Sequence, residues 1–242
     1  MPSIKYFTIL NSALICVGNI TYYIITHYPY LIPLWLFCVD IIFSKSLIHI
    51  NSIQITDLCS YKKVFYVSLF NSGTLLLTHA FATPSFHVLH EIVYFIPYSL
   101  MFEILFDFFH YWTHRMSHKI PFLYRSFHSF HHRHVKPTIA TTFEHRYGDL
   151  FLTNMLPVFL TTLLLQPSQY FLSIWIGYKV LEEMYGHIGI PKQTSSFPQC
   201  MWLPRLLRIE LYNSQHALHH QKPSVNFSKR FMLWDKVFGT AE

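Results

Sequence analysis

Two copies of one short pattern, His-x-x-His-His, lie 88 residues apart in this chain of 242 residues. They occupy His128–His132 and His216–His220. On a helix, positions i, i+3 and i+4 share one face, so each copy is expected to present three imidazoles to the same side. Histidine is neither a strong helix former nor a favoured core residue, so folding alone does not call for such clusters. Metal coordination does.

A further set of histidines precedes the first copy. His110, His114 and His118 recur every four residues and therefore follow one face of a predicted helix. Of the 17 histidines in the chain, eight fall between His110 and His145. Three histidines in register, directly before a His-x-x-His-His, favour metal ligation by at least two of them over a role as isolated interfacial side chains.

The number of imidazoles indicates more than one metal ion. Adjacent histidines such as His131 and His132 point about 100° apart on a helix, so each can serve a different ion. Six imidazoles from the two copies and two from the preceding set exceed what one tetrahedral zinc takes. Imidazole-rich sites suit Zn, Cu, Fe or Ni. We therefore predict a dinuclear centre.

The remaining candidates are single residues. His145 and His187 stand alone, and for each a structural role is as consistent as ligation. A metal-bound histidine usually donates its second N–H to a carboxylate or carbonyl, and we select Asp107 and Glu144 as candidate partners. The chain has no His-Glu-x-x-His and no Gly-x-Ser-x-Gly pattern, which argues against a zinc protease and a serine hydrolase.

The composition indicates a membrane protein. Hydrophobic residues make up 52% of the chain and charged residues only 12%, whereas soluble domains carry about a quarter charged residues. No acidic residue, lysine or arginine occurs in 6–39, 64–90 or 150–178. Each of these runs is longer than the roughly 20 residues that cross a bilayer core.

We predict membrane segments at about 6–26, 30–43, 64–83 and 92–112, followed by an apolar stretch from 150 to 181. A break at Gln166–Gln169 divides that stretch into two short arms, which predicts a helical hairpin. A signal peptide is the alternative for the first segment, but the apolar character continues to Phe43 without a cleavage site, which favours an anchor. The predicted fold is an all-α integral membrane bundle of about four spans plus this hairpin, with a helical histidine-rich cap.

The histidine clusters lie in two polar pieces, 113–149 and 182–242. An even number of crossings between these pieces would place them on the same side of the membrane. The net charge is +6, and the stretch from Phe108 to Phe143 holds basic residues and no acid. These basic residues are Arg115, Lys119, Arg125, Arg133 and Lys136. Positive-inside counting makes that side cytosolic, and without a recognition motif nucleic-acid binding is set aside.

We expect one membrane-embedded domain over 1–242. In it, 1–90 would provide the N-terminal anchor spans and 91–242 the catalytic histidine-rich region.

The histidine motifs, in order and spacing, resemble those of a known superfamily. His114-Arg115-Met116-Ser117-His118 is similar to its H-R-x-x-H box, and the stretch from Leu123 to His132 is similar to L-Y-x-x-H-x-x-H-H. His216–His220 is similar to the third box, and Trp234–Thr240 to a W-D-x-x-F-G-T ending. Across roughly 103–240 the chain thus resembles the fatty acid hydroxylase / sterol desaturase superfamily of membrane di-iron oxygenases.

Smaller elements add to the resemblance. Gly186-His187 followed by Gly189 is similar to a single-histidine element of the family, which implies that His187 is a ligand. Asp107-x-x-His110-Tyr111 and Asn226 are similar to sterol C4-methyl oxidase members. One stretch departs from the family: where members often have H-P-x-E, this chain has His145-Arg146-Tyr147-Gly148, with Asp149 one position later.

The resemblance implies a set of metal ligands, with the roles of His145 and His110 left open. The implied ligands are His114, His118, His128, His131, His132, His187, His216, His219 and His220.

The resemblance also implies an activity. It is an O2-dependent hydroxylation or desaturation at an unactivated C–H of a sterol or fatty-acyl lipid, with two non-haem irons. Sphingolipids and alkylglycerols are alternative substrates. The chain has no flavin or NAD fingerprint, so electrons would come from cytochrome b5 and its reductase or from a ferredoxin-type donor.

The implied location is the endoplasmic reticulum in a eukaryote or the cytoplasmic membrane in a bacterium. A membrane metal transporter and a metal-free scaffold are the rivals from other classes. A transporter would place its ligands at mid-membrane depth, and a scaffold leaves the repeated motif unexplained.

Overall fold

The computed structural model describes residues 4–51, 60–85, 87–194 and 196–242. Within these ranges the chain is helical and forms no strand beyond isolated bridges, which confirms the all-α prediction. The α-helices are α1 Ile4–His27, α2 Ile32–Ile50, α3 Tyr61–Phe81, α4 Val88–Val93, α5 Phe95–Lys119, α6 Pro121–Leu123, α7 Tyr147–Leu150, α8 Leu156–Leu165, α9 Gln169–Gly186, α10 Trp202–Leu206, α11 Asn213–Gln221 and α12 Leu233–Val237. Two π-helical turns, Tyr124–His128 and Phe151–Met155, interrupt the regular helices.

Four helical segments in the described part of the chain are long and apolar enough to cross a membrane. They are Ile4–His27, Pro29–Ile50, Tyr61–Phe81 and Tyr147–Leu165, the last made of α7, a π turn and α8. The chain is an integral membrane protein with a helical-bundle fold, as predicted.

Three of the four predicted spans coincide with these segments, and a 3-10 turn at Pro29–Leu31 joins α1 to α2. The fourth differs. Segment 92–112 forms most of α5. This helix carries two acidic residues, Glu103 and Asp107, both buried, and is not among the four apolar helices. The fourth apolar segment is instead the first arm of the predicted hairpin. It is long enough to cross a membrane because it begins at Tyr147 and has 19 residues.

The hairpin itself has the predicted break. Helix α8 ends at Leu165, and Gln166 adopts a left-handed conformation with φ 48°. Ser168 then caps α9, since its Oγ accepts a hydrogen bond from the Phe171 amide. The chain thus leaves along α8 and returns along α9, which is buried on nearly every side and forms the centre of the hydrophobic core.

Contacts between distant segments define the two ends of the bundle. The hydroxyls of Tyr6 and Tyr185 are 3.1 Å apart, which joins the start of α1 to the end of α9. At the opposite end, Thr83 bridges to Ser168 beside the hairpin turn. The histidine motifs lie at the first of these two ends, where α5 and α9 both terminate.

Helices α1 and α9 cross at close range because Gly18 has no side chain. A Cβ at Gly18 would lie 2.7 Å from the backbone Cα of Ile174, closer than two carbon atoms can approach. The crossing therefore depends on glycine at this position.

We expect Gly18→Ala to lower the thermal unfolding midpoint in detergent, since overpacking of this kind costs about 1–3 kcal/mol. Gly73→Ala is the matched control, because a Cβ there meets nothing within 4 Å and alanine gains up to about 1 kcal/mol in a helix. This account would be contradicted if the thermal unfolding midpoint of the Gly18 variant were equal to, or higher than, that of the Gly73 variant.

Candidate metal centre

Four parts of the chain bring the histidines together. His114 and His118 lie on the last turns of α5, and His128 ends the π turn that follows. His187 comes directly after α9, and the second His-x-x-His-His lies on α11. The spacing of the first copy predicted one α-helix. The structure instead has a π turn followed by a 3-10 turn at His131–Arg133.

The first group of histidines places five ring nitrogens within 4.8 Å of one another. Its members are His114, His118, His128, His132 and His219. The Nε2 atoms of His114 and His128 are 3.0 Å apart, and those of His118 and His219 are 3.1 Å apart. Two nitrogens bound at about 2.1 Å to one ion, at right angles, would be about 3.0 Å apart. The spacing is therefore that of ligands around a single ion.

The second group holds four ring nitrogens within the same limit of 4.8 Å. Its members are His131, His187, His216 and His220. The Nε2 atoms of His187 and His216 are 3.3 Å apart. The rings of His132 and His220, one from each group, stack with centroids 4.7 Å apart, so the two groups are neighbours.

Adjacent histidines separate into different groups. His131 and His132 have ring planes at 88°, as do His219 and His220, and in each pair one ring faces each group. Each motif therefore contributes to both groups rather than presenting three imidazoles to one side. This arrangement follows from the angle between neighbouring residues on a helical turn.

Backbone carbonyls determine which ring nitrogen is free. The Nδ1 of His114 lies 2.7 Å from the Phe227 carbonyl oxygen, and the Nδ1 of His219 lies 2.7 Å from that of Val225. The Nδ1 of His187 lies 2.9 Å from the carbonyl oxygen of Glu183. A carbonyl oxygen only accepts, so Nδ1 carries the hydrogen and Nε2 keeps a lone pair for a metal.

Asp149 plays the same part with a carboxylate. Its two oxygens each lie 2.7 Å from an Nδ1, that of His128 and that of His145. Asp149 is buried on α7, next to Gly148, where a Cβ would lie 2.2 Å from the ring of Phe127. Glycine at 148 thus allows α7 to pack against the π turn that ends in His128.

His187, His219 and His220 are neutral at physiological pH. Burial lowers the pKa of His219 to about 3, and burial is also the largest cause of the fall in the pKa of His187 to about 4. Burial lowers the pKa of His220 to about 3, and neighbouring imidazoles add to the effect. Neutral imidazole is the form that binds metal.

The buried nitrogens without partners fit metal ions. Among the described residues, both ring nitrogens of His220 and the Nδ1 of His131 are buried and have no hydrogen-bond partner. Nitrogen atoms of this kind are costly inside a protein unless something binds them. Together with the two convergent groups, they match a pair of transition-metal ions held mainly by imidazoles.

All nine histidines that the resemblance implies as ligands belong to these two groups, although their role as ligands remains a prediction. His145 stacks on His131 with ring centroids 4.5 Å apart and forms a third group with His131 and Asp149. His110 belongs to no group: its ring lies 5.1 Å from that of His114, and its Nδ1 is 2.6 Å from the Thr153 carbonyl oxygen.

The two acids selected from the sequence make other contacts. Asp107 accepts hydrogen bonds from the backbone amides of Lys229, Arg230 and Phe231, so it holds that turn in place. Glu144 pairs with Lys63 and with His134, outside both groups. Asp149 was not selected from the sequence, although its position four residues after His145 was a usable signal.

A helical membrane bundle that gathers buried histidines into two adjacent groups has the arrangement expected of a membrane metalloprotein. A family model for fatty acid hydroxylase matches residues 99–240, which include both groups. This chain belongs to the fatty acid hydroxylase family.

Three relatives are informative. The chain is 32% identical over 134 residues to fatty acid hydroxylase vlmA of Lecanicillium sp, an alignment that covers 52% of this chain and 36% of the relative. It is 34% identical over 131 residues to cholesterol 25-hydroxylase-like protein 1, member 2 of Danio rerio (52% of this chain, 43% of the relative). It is 28% identical over 130 residues to cholesterol 25-hydroxylase of Homo sapiens (52% and 44%). These matches span less than half the length of the relatives, and no solved structure gives a significant match.

We expect Asp149→Asn to weaken metal binding about 10- to 100-fold, because the amide cannot accept from both Nδ1–H groups as the carboxylate does. The measurement is metal content against free metal concentration for purified protein. Glu144→Gln, the same change in an acid outside both groups, should leave the affinity within about twofold. Equal losses in both variants would contradict the role given to Asp149.

Proposed function

We propose that this chain is an O2-dependent lipid hydroxylase with two non-haem irons. The observation that carries the proposal is the division of nine imidazoles into two adjacent groups, one of five and one of four. Membership of the fatty acid hydroxylase family supports it.

The proposed ligands follow the two groups. One iron is held by the group of His114, His118, His128, His132 and His219, and the other by His131, His187, His216 and His220. Bound iron supplies the redox chemistry that reduces O2 and removes hydrogen from an unactivated C–H. The chain's own part is to orient the imidazoles, through Asp149 and the backbone carbonyls that accept from Nδ1.

Electrons and protons must come from outside the metal centre. Conversion of R–H to R–OH with O2 consumes two electrons and two protons and releases one water. The chain has no flavin or nicotinamide motif, so the proposed donor is cytochrome b5 with its reductase, or a ferredoxin-type carrier. The basic surface around the histidines is proposed to face the cytosol, in the endoplasmic reticulum of a eukaryote or the cytoplasmic membrane of a bacterium.

The proposed substrate is a sterol or a fatty-acyl lipid. An apolar substrate can reach the site from the bilayer, because the histidines lie at one end of a membrane bundle. The names of the relatives contain fatty acid hydroxylase and cholesterol 25-hydroxylase, which favours hydroxylation over desaturation. Alkylglycerols and sphingolipids are the alternative lipid classes. For the domain organisation, residues 1–242 are proposed to act as one domain.

A metal transporter agrees less well with the geometry. A transport site lies near the middle of the membrane, between spans. The histidines here occupy the last turns of α5, the residue after α9, and α11.

We expect the neighbours His219 and His220 to control different ions. His219→Ala should lose the ion of the first group and His220→Ala that of the second, so iron falls from two per chain to about one in each variant. The measurement is iron per folded chain by elemental analysis. His134→Ala, at a histidine outside both groups, should keep two. Full iron content in both single variants would refute the assignment.

Lipid mass spectrometry tests the reaction. In cells that express the chain, we expect a lipid with a mass increase of 16 that depends on O2. The product should disappear with His131→Ala and persist with His134→Ala. A mass decrease of 2 instead would indicate desaturation, and no change in any lipid would refute the proposed activity.

A further inference from the structure

A cavity lies against the histidines of both groups. Its walls include His114 and His128 of the first group and His131, His187 and His216 of the second. The centres of water molecules can occupy about 50 Å³ of it, where one water takes roughly 10–15 Å³ on that measure. The cavity can therefore hold a few heavy atoms next to both groups, but not a whole lipid.

The charged side chains of this cavity already have partners. Asp149 accepts from two histidines, as described above. Glu183 pairs with Lys229 at 3.1 Å, and Glu182 with Arg230 at 3.2 Å. Each cation thus lies beside an acid, although Arg230 Nη2 and Glu182 Oε1 make no hydrogen bond among the described residues. The acids of the wall outnumber its lysine and arginine, so the wall does not favour a carboxylate or phosphate.

Three uncharged side chains in the same wall have no partner. Thr142 Oγ1, Ser228 Oγ and both amide atoms of Asn213 are without a hydrogen bond among the described residues. Their exposed fractions are 5%, 2% and 5%, so bulk water does not reach them. A buried polar group of this kind is costly when it is left unsatisfied. Three of them around one cavity indicate a bound polar group.

We propose that this cavity binds the hydroxyl group of an aliphatic alcohol, held by Asn213, Ser228 and Thr142. A hydroxyl both donates and accepts, and so do these three side chains taken together. A carboxylate would only accept and would meet the oxygens of Glu182, Glu183 and Asp149. The inference rests on the proposed function, since the alcohol is either the lipid substrate or the hydroxylated product.

The test compares three probes of equal length, 1-hexanol, hexanoate and hexane. Their binding to iron-loaded protein in lipid nanodiscs is measured by equilibrium dialysis, with empty nanodiscs subtracted. We expect 1-hexanol to bind at least about 10-fold more tightly than either of the others, as two or three hydrogen bonds would produce. Equal binding of hexanol and hexane, or tighter binding of hexanoate, would overturn the proposal.

A matched pair of variants locates the effect. Thr142→Val should weaken hexanol binding about 3- to 10-fold and leave hexane unchanged. Thr162→Val is the control, because Thr162 is equally buried and unpartnered but does not line the cavity. The thermal midpoint should not fall in either variant, since replacing an unpartnered hydroxyl by a methyl is neutral or stabilising. Ser228→Ala provides a second test, and unchanged hexanol binding in both cavity variants would overturn the proposal.

Lipid retained by the protein separates the two sources of the hydroxyl. Reduced, iron-loaded protein is incubated with a membrane lipid extract, with and without O2, and the retained lipid is identified by mass spectrometry. An alcohol retained without O2 identifies the substrate's own hydroxyl, and one retained only with O2 identifies the product's. Retained lipid without any hydroxyl would overturn the proposal. Two irons per chain and a product heavier by 16, without hexanol preference, would reject this inference alone.

Discussion

Hydrogen bonds made by Nδ1 orient four of the nine buried imidazoles, those of His114, His128, His187 and His219. A neutral imidazole has one donor and one acceptor nitrogen that can exchange roles. The carbonyls of Glu183, Val225 and Phe227, together with the carboxylate of Asp149, require a hydrogen on Nδ1. Nε2 then keeps its lone pair and points toward its neighbours. This constraint fixes three rings of the first group and one of the second.

The supports for these hydrogen bonds come from the bundle. The Glu183 carbonyl belongs to the last turn of α9, the most buried helix. The Phe227 carbonyl lies in the turn whose backbone amides bond to Asp107 and Asp235. Asp149 depends on the close packing of Gly148 against Phe127. The packed core is thus connected to the ring nitrogens of His187, His114 and His128 through single hydrogen bonds.

The same geometry explains why a membrane protein keeps charged side chains in its interior. Glu182 and Arg230 are both fully buried, and Glu183 lies between Lys179 at 2.7 Å and Lys229 at 3.1 Å. Ion pairs of this kind add little net stability compared with apolar residues of equal size. These ion pairs form a charged part of the wall of the cavity next to the histidines. The four long helices are apolar in composition.

By itself the sequence determined the helical membrane character, and it brought forward the nine histidines that meet in the two groups. Both depend on local patterns: uncharged runs longer than a bilayer core, and motifs whose adjacent members point in different directions on any helical turn. Only the tertiary structure decided which groups orient the rings. Asp107 and Glu144 precede histidines along the chain yet bond elsewhere, whereas Asp149 reaches His128 from 21 residues away. Hydrogen-bond partners across such distances depend on how α5, α7 and α9 pack, and no spacing in the chain specifies that packing.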